Sequence, residues 1–273
     1  MADVQIPAFA EGQYRRPLLV IGALRDTMAI AHRYLIDLRR TPQLFVFTMI
    51  QPIIFVILFR YVFGGAIQST IPGIPYVDYL MPGIYVQTVV FGSIATGIGI
   101  ATDVKSGLFE RFRSLPMARS AVLAGRTTSD LTRNVMVMII IASVGFAVGF
   151  RVQTTWYLFL AALLLVLFFA YALSWVFAMV GLLLGDPESA QAASFPIIAP
   201  LVFASSAFVP VSTMPGWLQW FATYQPVSVT VSAARALCLG GPTLSYLLQS
   251  LAWCFGILLV TVPIAVWRYK TAS

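Results

Sequence analysis

The residues able to do chemistry in this sequence are few and far apart. One histidine (His32), two cysteines (Cys238 and Cys254) and ten acidic residues are the whole supply of bases, thiols and carboxylates in 273 residues. Nucleophilic catalysis needs a nucleophile beside a base, and a metal centre needs a cluster of ligands; no spacing here offers either. His32 reads as a solvated or headgroup-facing side chain. The cysteines lie in or near apolar segments, with no spacing for a disulfide framework. A G-x-x-x-x-G-K-[ST] phosphate loop is absent, so the chain does not bind ATP in that way. Only one segment concentrates side chains of another use. In "GLFERFRSLPMARSAVLAGR", residues 107–126, Arg111, Arg113, Arg119 and Arg126 surround Phe109, Phe112 and Leu115. Its chemistry is binding.

Phe109, Phe112 and Leu115 fall at i, i+3 and i+6 and project from one side of a short helix, which Pro116 ends. Arg119, Arg126 and Arg133 follow at intervals of seven and form one basic stripe on the next helix. A basic stripe alone describes a loop anchored to anionic headgroups. Apolar anchors ringed by charge describe a helix seated in a groove of another protein. The residues leave both readings open.

The elements that position this segment belong to a bilayer. Hydrophobic residues make up 59% of the chain and charged ones 10%, against about 25% charged in soluble domains, and the mean hydropathy is +0.87. The chain is expected to be an all-α integral membrane protein with six spans, at about 43–63, 79–101, 134–150, 157–184, 194–211 and 244–267. The apolar runs do not alternate with polar residues as barrel strands do. Fourteen of the 17 positive residues fall on one side if the N-terminus is cytosolic, and only Arg151 and Arg235 on the other. Both termini are therefore placed in the cytosol, and the net charge of +7 reads as membrane orientation, with no role in nucleic-acid binding.

Residues 1–20 form a polar tail without the apolar core of a signal peptide. Leu24, Met28, Ala31, Leu35 and Leu38 then recur at helical spacing, as in an amphipathic helix on the inner leaflet. Near the far end, Pro210, Pro215 and Pro226 cut an apolar stretch into helices of about 215–223 and 226–239, too short to cross, which form a re-entrant hairpin on the outer side. Trp217, Trp220 and Phe221 suit the interface, and Arg235 lies on the second piece. Met81, Tyr85 and Phe91 in the second span, with Phe203 and Phe208 in the fifth, are candidates for a hydrophobic path or for plain packing. Arg60 sits near the outer end of the first span and is expected to snorkel. Gly145 with Gly149, and Gly181 with Gly185, form G-x-x-x-G pairs that permit close helix packing. No carboxylate lies in the middle of an expected span, so a proton relay has no members. A polytopic chain with no energy source of its own should borrow one from a partner.

"SGLFERFRSLPMARSAVLAGR" and "SSAFVPVSTMPGWLQWFATYQPVSVTVSAARAL" resemble the ABC-2 type permeases, in particular the daunorubicin-resistance group of drug exporters. The resemblance covers residues 21–273. It implies that Gly107, Leu108, Phe109, Glu110, Arg111, Phe112, Arg113, Leu115 and Pro116 form a cytosolic coupling helix, seated in a groove of a separate ATP-binding subunit. Glu110 matches the family's acidic position, with Leu108 where the broader family has threonine. Phe112 and Leu115 would be the anchors, Arg111 and Arg113 the rim, and Pro215, Trp217, Trp220, Pro226 and Arg235 would belong to the outer hairpin. Two six-span permeases, identical or paralogous, would stand above two ATPase copies that bind ATP and Mg. This chain would bind no cofactor and catalyse nothing. The expected cargo is a hydrophobic or amphipathic drug or antibiotic; a lipid or cell-surface polysaccharide is the alternative, and a membrane enzyme or a scaffold the reading from another class.

Overall fold

The computed structural model describes residues 27–28, 42–71, 73–108 and 119–271. The surface helix expected around Leu24–Leu38, with His32, falls almost wholly outside them. Among the described residues the chain is helical, with no strand. Helix α1 (Pro42–Ile57) runs through a π-helical stretch, Leu58–Phe63, into α2 (Gly64–Gln68). The others are α3 (Tyr76–Lys105), α4 (Arg119–Ala147), α5 (Trp156–Leu184), α6 (Pro187–Phe203), α7 (Gly216–Tyr224), α8 (Pro226–Leu239) and α9 (Thr243–Thr271).

Among the described residues, five helices are long and apolar enough to cross a membrane: Thr48–Gln68, Tyr76–Lys105, Leu123–Ala147, Trp156–Leu184 and Thr243–Tyr269. The fifth expected span, 194–211, is not among them, and its helix has other bounds. Helix α6 has 17 residues, about 26 Å at 1.5 Å per residue, against a hydrocarbon core of about 30 Å. It starts early because the Asp186 carboxylate accepts from the Ser189 amide and Pro187 occupies the first helical position, where a missing N–H costs nothing. It stops at Phe203 because hydroxyls there take over backbone groups. Ser205 Oγ donates to Val202 O at 2.5 Å and accepts from Ala207 N, while Ser206 N donates to Ser228 Oγ at 3.0 Å. Gln225 Nε2 closes the end by donating to Leu201 O at 2.8 Å.

The first span also runs deeper than 43–63. The helix continues to Gln68, so Arg60 lies inside the span rather than near its end. The third begins well before residue 134, because its inner charges are paired within the protein.

The centre of the bundle is α3, whose span is 67% buried against 17% for the first span and 22% for α9. Its most extensive partner is α5. Their seam closes at Gly97 and Gly181: a Cβ on Gly181 would run into Gly97 O, and one on Gly97 would lie 2.8 Å from Phe177 O. Only glycine lets the two backbones approach this closely. The G-x-x-x-G pairs divide in function. Gly181 and Gly145 are packing positions, whereas Gly185 and Gly149 have φ of +64° and +103° and turn the chain at helix ends.

Candidate functional site

The end of α3 leads into the segment singled out by its arginines and aromatics. Gly107, with φ of +69°, breaks the helix just after Lys105 and turns the chain. Phe109, Glu110, Arg111, Phe112, Arg113, Leu115 and Pro116 lie outside the described residues, as does the Arg119 side chain. The two helices holding this connection are described: α3 enters it and α4 leaves it.

Both are tied down by charge at this end. Lys105 Nζ meets Asp186 Oδ1 at 2.7 Å, joining the end of α3 to the start of α6. That hydrogen bond, followed by those from Ser189, holds the Asp186 carboxyl down at about 2. Deeper in, Arg126 of α4 lies between two carboxylates, with Nη1 3.7 Å from Asp103 Oδ2 on α3 and Nε 3.5 Å from Asp130 Oδ2 on its own helix. Asp130 Oδ1 is 3.1 Å from Arg133 Nη1, and Arg133 Nη2 donates to Gly92 O at 2.9 Å. Helix α4 thus faces two of its three stripe arginines into protein. Their side chains are only 18% and 12% exposed, so Arg126 and Arg133 do not present the stripe to headgroups that one of the two open readings required.

Charge this far inside a span needs internal partners, and the sequence supplies them at matched spacing. Gly99 and Gly92 on α3 leave room for Arg126 and for the Arg133–Asn134 turn; a Cβ on Gly99 would overlap the Arg126 guanidinium, and one on Gly92 would come within 2.9 Å of Asn134 Oδ1. The cluster escapes a hydropathy reading because Arg126, Asp130 and Arg133 cut the apolar window. The detectable signal was two glycines seven apart on one helix against two arginines seven apart on the antiparallel one.

At the opposite end the two proline-started helices appear as α7 and α8, close to 215–223 and 226–239. Pro215 caps the start of α7, Pro226 opens α8, and Trp217 and Trp220 stand 78% and 71% exposed. Arg235 docks α8. Its Nε donates to Tyr79 O at 3.1 Å, its Nη2 to Ser206 O at 2.8 Å, and its guanidinium lies 3.6 Å above the Tyr79 ring. Tyr76 and Tyr79 hydroxyls donate to Phe208 O and Ser206 O, at 3.0 and 3.3 Å. Asp78 is buried and accepts from the Arg151 amide at 2.8 Å, while Thr154 Oγ1 donates to Leu237 O at 2.6 Å. These bonds fasten the hairpin to the start of α3 and to the α4–α5 turn.

Of the five candidate path residues only Phe203 is exposed, and the other four lie in or against one core. Met81 and Tyr85 are fully buried, with the Tyr85 ring edge-on to Phe150 at 6.1 Å, and Phe91 packs half-buried against the same core. Phe203 and Phe208 make ring contacts with Phe55, Phe59 and Phe63, in which Phe59 stacks on Phe208 at 4.3 Å, and Phe208 is buried in the same core as Met81 and Tyr85. The first-span phenylalanines of that group escaped the sequence reading, since aromatic residues in a span carry no periodic mark. Among the described residues no three of His, Cys, Asp or Glu gather as metal ligands.

Comparison with known proteins places this architecture. The family described as "ABC-2 type transporter" matches residues 25–239. The chain is 31% identical over 253 residues to the daunorubicin resistance ABC transporter permease protein DrrB1 of Streptomyces coeruleorubidus, covering 92% of this chain and 88% of that one. It is 26% identical over 226 residues to the probable doxorubicin resistance ABC transporter permease protein DrrC of Mycobacterium tuberculosis, covering 82% and 81%. A putative transport permease, ycf38 of Cyanophora paradoxa, is 24% identical over 221 residues, covering 78% and 74%. The match over most of its length and its several apolar helices make this chain a multi-pass membrane protein of the ABC-2 type transporter family.

Proposed function

We propose that the chain is the permease subunit of an ATP-driven exporter that moves a hydrophobic or amphipathic compound outward, with ATP bound and hydrolysed on a separate subunit. The observation that carries this reading is its similarity, over 92% of its length, to a permease named for daunorubicin resistance. The segment 107–116 is the coupling element, docked on the ATPase through Phe112 and Leu115 and rimmed by Arg111, Arg113 and Glu110. Its place in the chain between two helices joined by the Arg126–Asp103 ion pair supports this reading, because force applied to the connection reaches both. Burial of Arg126 and Arg133 also removes most of the stripe on which the headgroup reading rested.

The connection then lies in the cytosol with both termini, and the α7–α8 hairpin lies on the outer side. Two such permeases, above two ATPase copies, enclose the path. Phe203, 50% exposed with the half-buried Phe55 in ring contact with it, offers apolar ring surface on which a flat cargo can pack. The test is export. The chain and its partner ATPase, reconstituted in inside-out vesicles, should accumulate a fluorescent amphiphilic drug only with hydrolysable ATP. Turnover of a substrate by the chain alone would replace this reading with that of an enzyme, and ATP-dependent flipping of a labelled lipid without drug uptake would change the cargo.

A further inference from the structure

Arg60 holds a charge inside the first span that the rest of the bundle does not answer. It sits about 12 Å from the Gln68 end, at 1.5 Å per residue, whereas arginines that snorkel do so from helix ends. Val56 and Gly64, four residues to either side, are both buried, so Arg60 lies on the helix face turned toward the bundle. Tyr61, Val62 and Phe63 are exposed. Among the described residues no hydrogen bond or ion pair reaches the guanidinium, and its buried Nε has no partner. The stretch that carries it, Leu58–Phe63, is π-helical, a distortion frequent at functional sites.

Charges within spans face the bundle interior, pair there, and mark the paths of substrates and ions. The described acids are engaged elsewhere. Asp78 accepts from the Arg151 amide through one oxygen and from Gln153 Nε2 through the other. Asp103 and Asp130 face Arg126 and Arg133, Asp186 holds Lys105, and Glu188 lies at that same end of the bundle, in the first turn of α6. A second copy of the chain would bring the same engaged acids. The planar guanidinium fork fits a carboxylate or a phosphate. Rings adjoin it along the helix: Phe59 stacks on Phe55 at 5.9 Å, and Phe55 meets the exposed Phe203 at 6.4 Å.

We propose that Arg60 binds the acidic group of the cargo, an amphiphile whose carboxylate or phosphate pairs with the guanidinium while its flat apolar body packs along the Phe55 and Phe203 rings. The bundle-facing position favours cargo over a headgroup of the surrounding bilayer, which would meet the exposed side of Tyr61 and Val62. The anion site stands by itself; its use for cargo rests on the exporter reading above.

The test starts with the purified chain in neutral detergent and two probes that share one body, pyrenebutyrate and pyrenebutanol, followed by energy transfer from tryptophan to pyrene. The ratio of their affinities should shift about tenfold against the acid in Arg60→Gln, the effect of one hydrogen bond between charged groups. The shift should be smaller in Arg60→Lys and absent in Arg151→Gln, which removes an exposed charge elsewhere. In the wild type, dodecyl phosphate should displace pyrenebutyrate and dodecanol should not, a readout that needs no variant to fold. An unchanged ratio in Arg60→Gln, an equal shift in Arg151→Gln, or equal displacement by dodecanol overturns the site. In inside-out vesicles of the complete complex with its ATPase, pyrenebutyrate should accumulate with ATP and fail to do so in Arg60→Gln. Vesicles that take up the fluorescent drug but not pyrenebutyrate give the site to a lipid phosphate and overturn the cargo assignment. Vesicles that take up neither overturn the exporter reading and leave the binding result standing.

Discussion

Replacing Arg235 with alanine should loosen the α7–α8 hairpin from the bundle. The side chain makes two hydrogen bonds to backbone carbonyls, at 3.1 and 2.8 Å, and lies 3.6 Å over the Tyr79 ring. In water-soluble proteins a bond from a charged donor contributes about 1.5–3 kcal/mol. Within membranes the measured average is nearer 0.6 kcal/mol, roughly, because the unfolded reference also finds partners. Two bonds at that lower value plus about 1 kcal/mol for the cation–π contact give about 2 kcal/mol. For a chain of this size that corresponds to a melting temperature lower by about 4–8 °C. The assay is thermal unfolding of the detergent-purified protein followed by tryptophan fluorescence, with Trp217 and Trp220 on α7 as internal reporters. Arg235→Lys, which keeps the charge but cannot span both carbonyls, should fall between alanine and wild type. If alanine melts with the wild type, Arg235 does not dock the hairpin and the reasoning fails.

Gly181→Leu should reduce the yield of folded protein, since its Cβ would overlap Gly97 O and overpacking costs about 1–3 kcal/mol or more. Gly256→Leu, with nothing within 4 Å of its Cβ, is the matched control and should fold normally; size-exclusion profiles compare them. A cysteine placed at Ser212, in the exposed turn before α7, should react with a membrane-impermeant maleimide in intact cells, while the native Cys238 and Cys254, both 0% exposed, stay silent. Labelling only after the membrane is opened would reverse the orientation. The Asp186 carboxyl, held at about 2 from an ordinary 3.8, contributes stability that is present above pH 3.8 and lost as pH falls through 2. The gap in melting temperature between wild type and Asp186→Asn should therefore be the same at pH 5 and pH 8, and a gap that changes across that window would contradict the assignment.

Membrane class, helix content and the two proline-started helices were legible because they depend on composition and on local backbone rules. Pro187, Pro215 and Pro226 each mark a helix start, whatever packs around it. Tertiary pairing was not legible. Asp130 and Arg126 ended an apolar window on paper, yet Asp103 and Gly99 from another helix make that window continuous in space. The end of α6 was missed for a similar reason, since Ser205, Ser206 and Gln225 capture its last backbone groups through contacts with Ser228 and Leu201. Met81 and Tyr85 were eligible for a path or for packing by their type, and within this chain they are buried beside Phe150 and Gly145.

The central claim is that residues 107–116 seat this permease on its ATPase, and affinity between the two purified subunits tests it most directly. Truncating a buried aromatic anchor commonly costs about 2 kcal/mol or more, roughly thirtyfold in Kd. Phe112→Ala should therefore weaken ATPase binding about thirtyfold while membrane insertion stays normal. Arg119→Ala should weaken it no more than about fivefold, because a basic residue at an anionic surface contributes about 1 kcal/mol. The reverse order, with Arg119→Ala abolishing the complex and Phe112→Ala leaving it intact, would contradict the account.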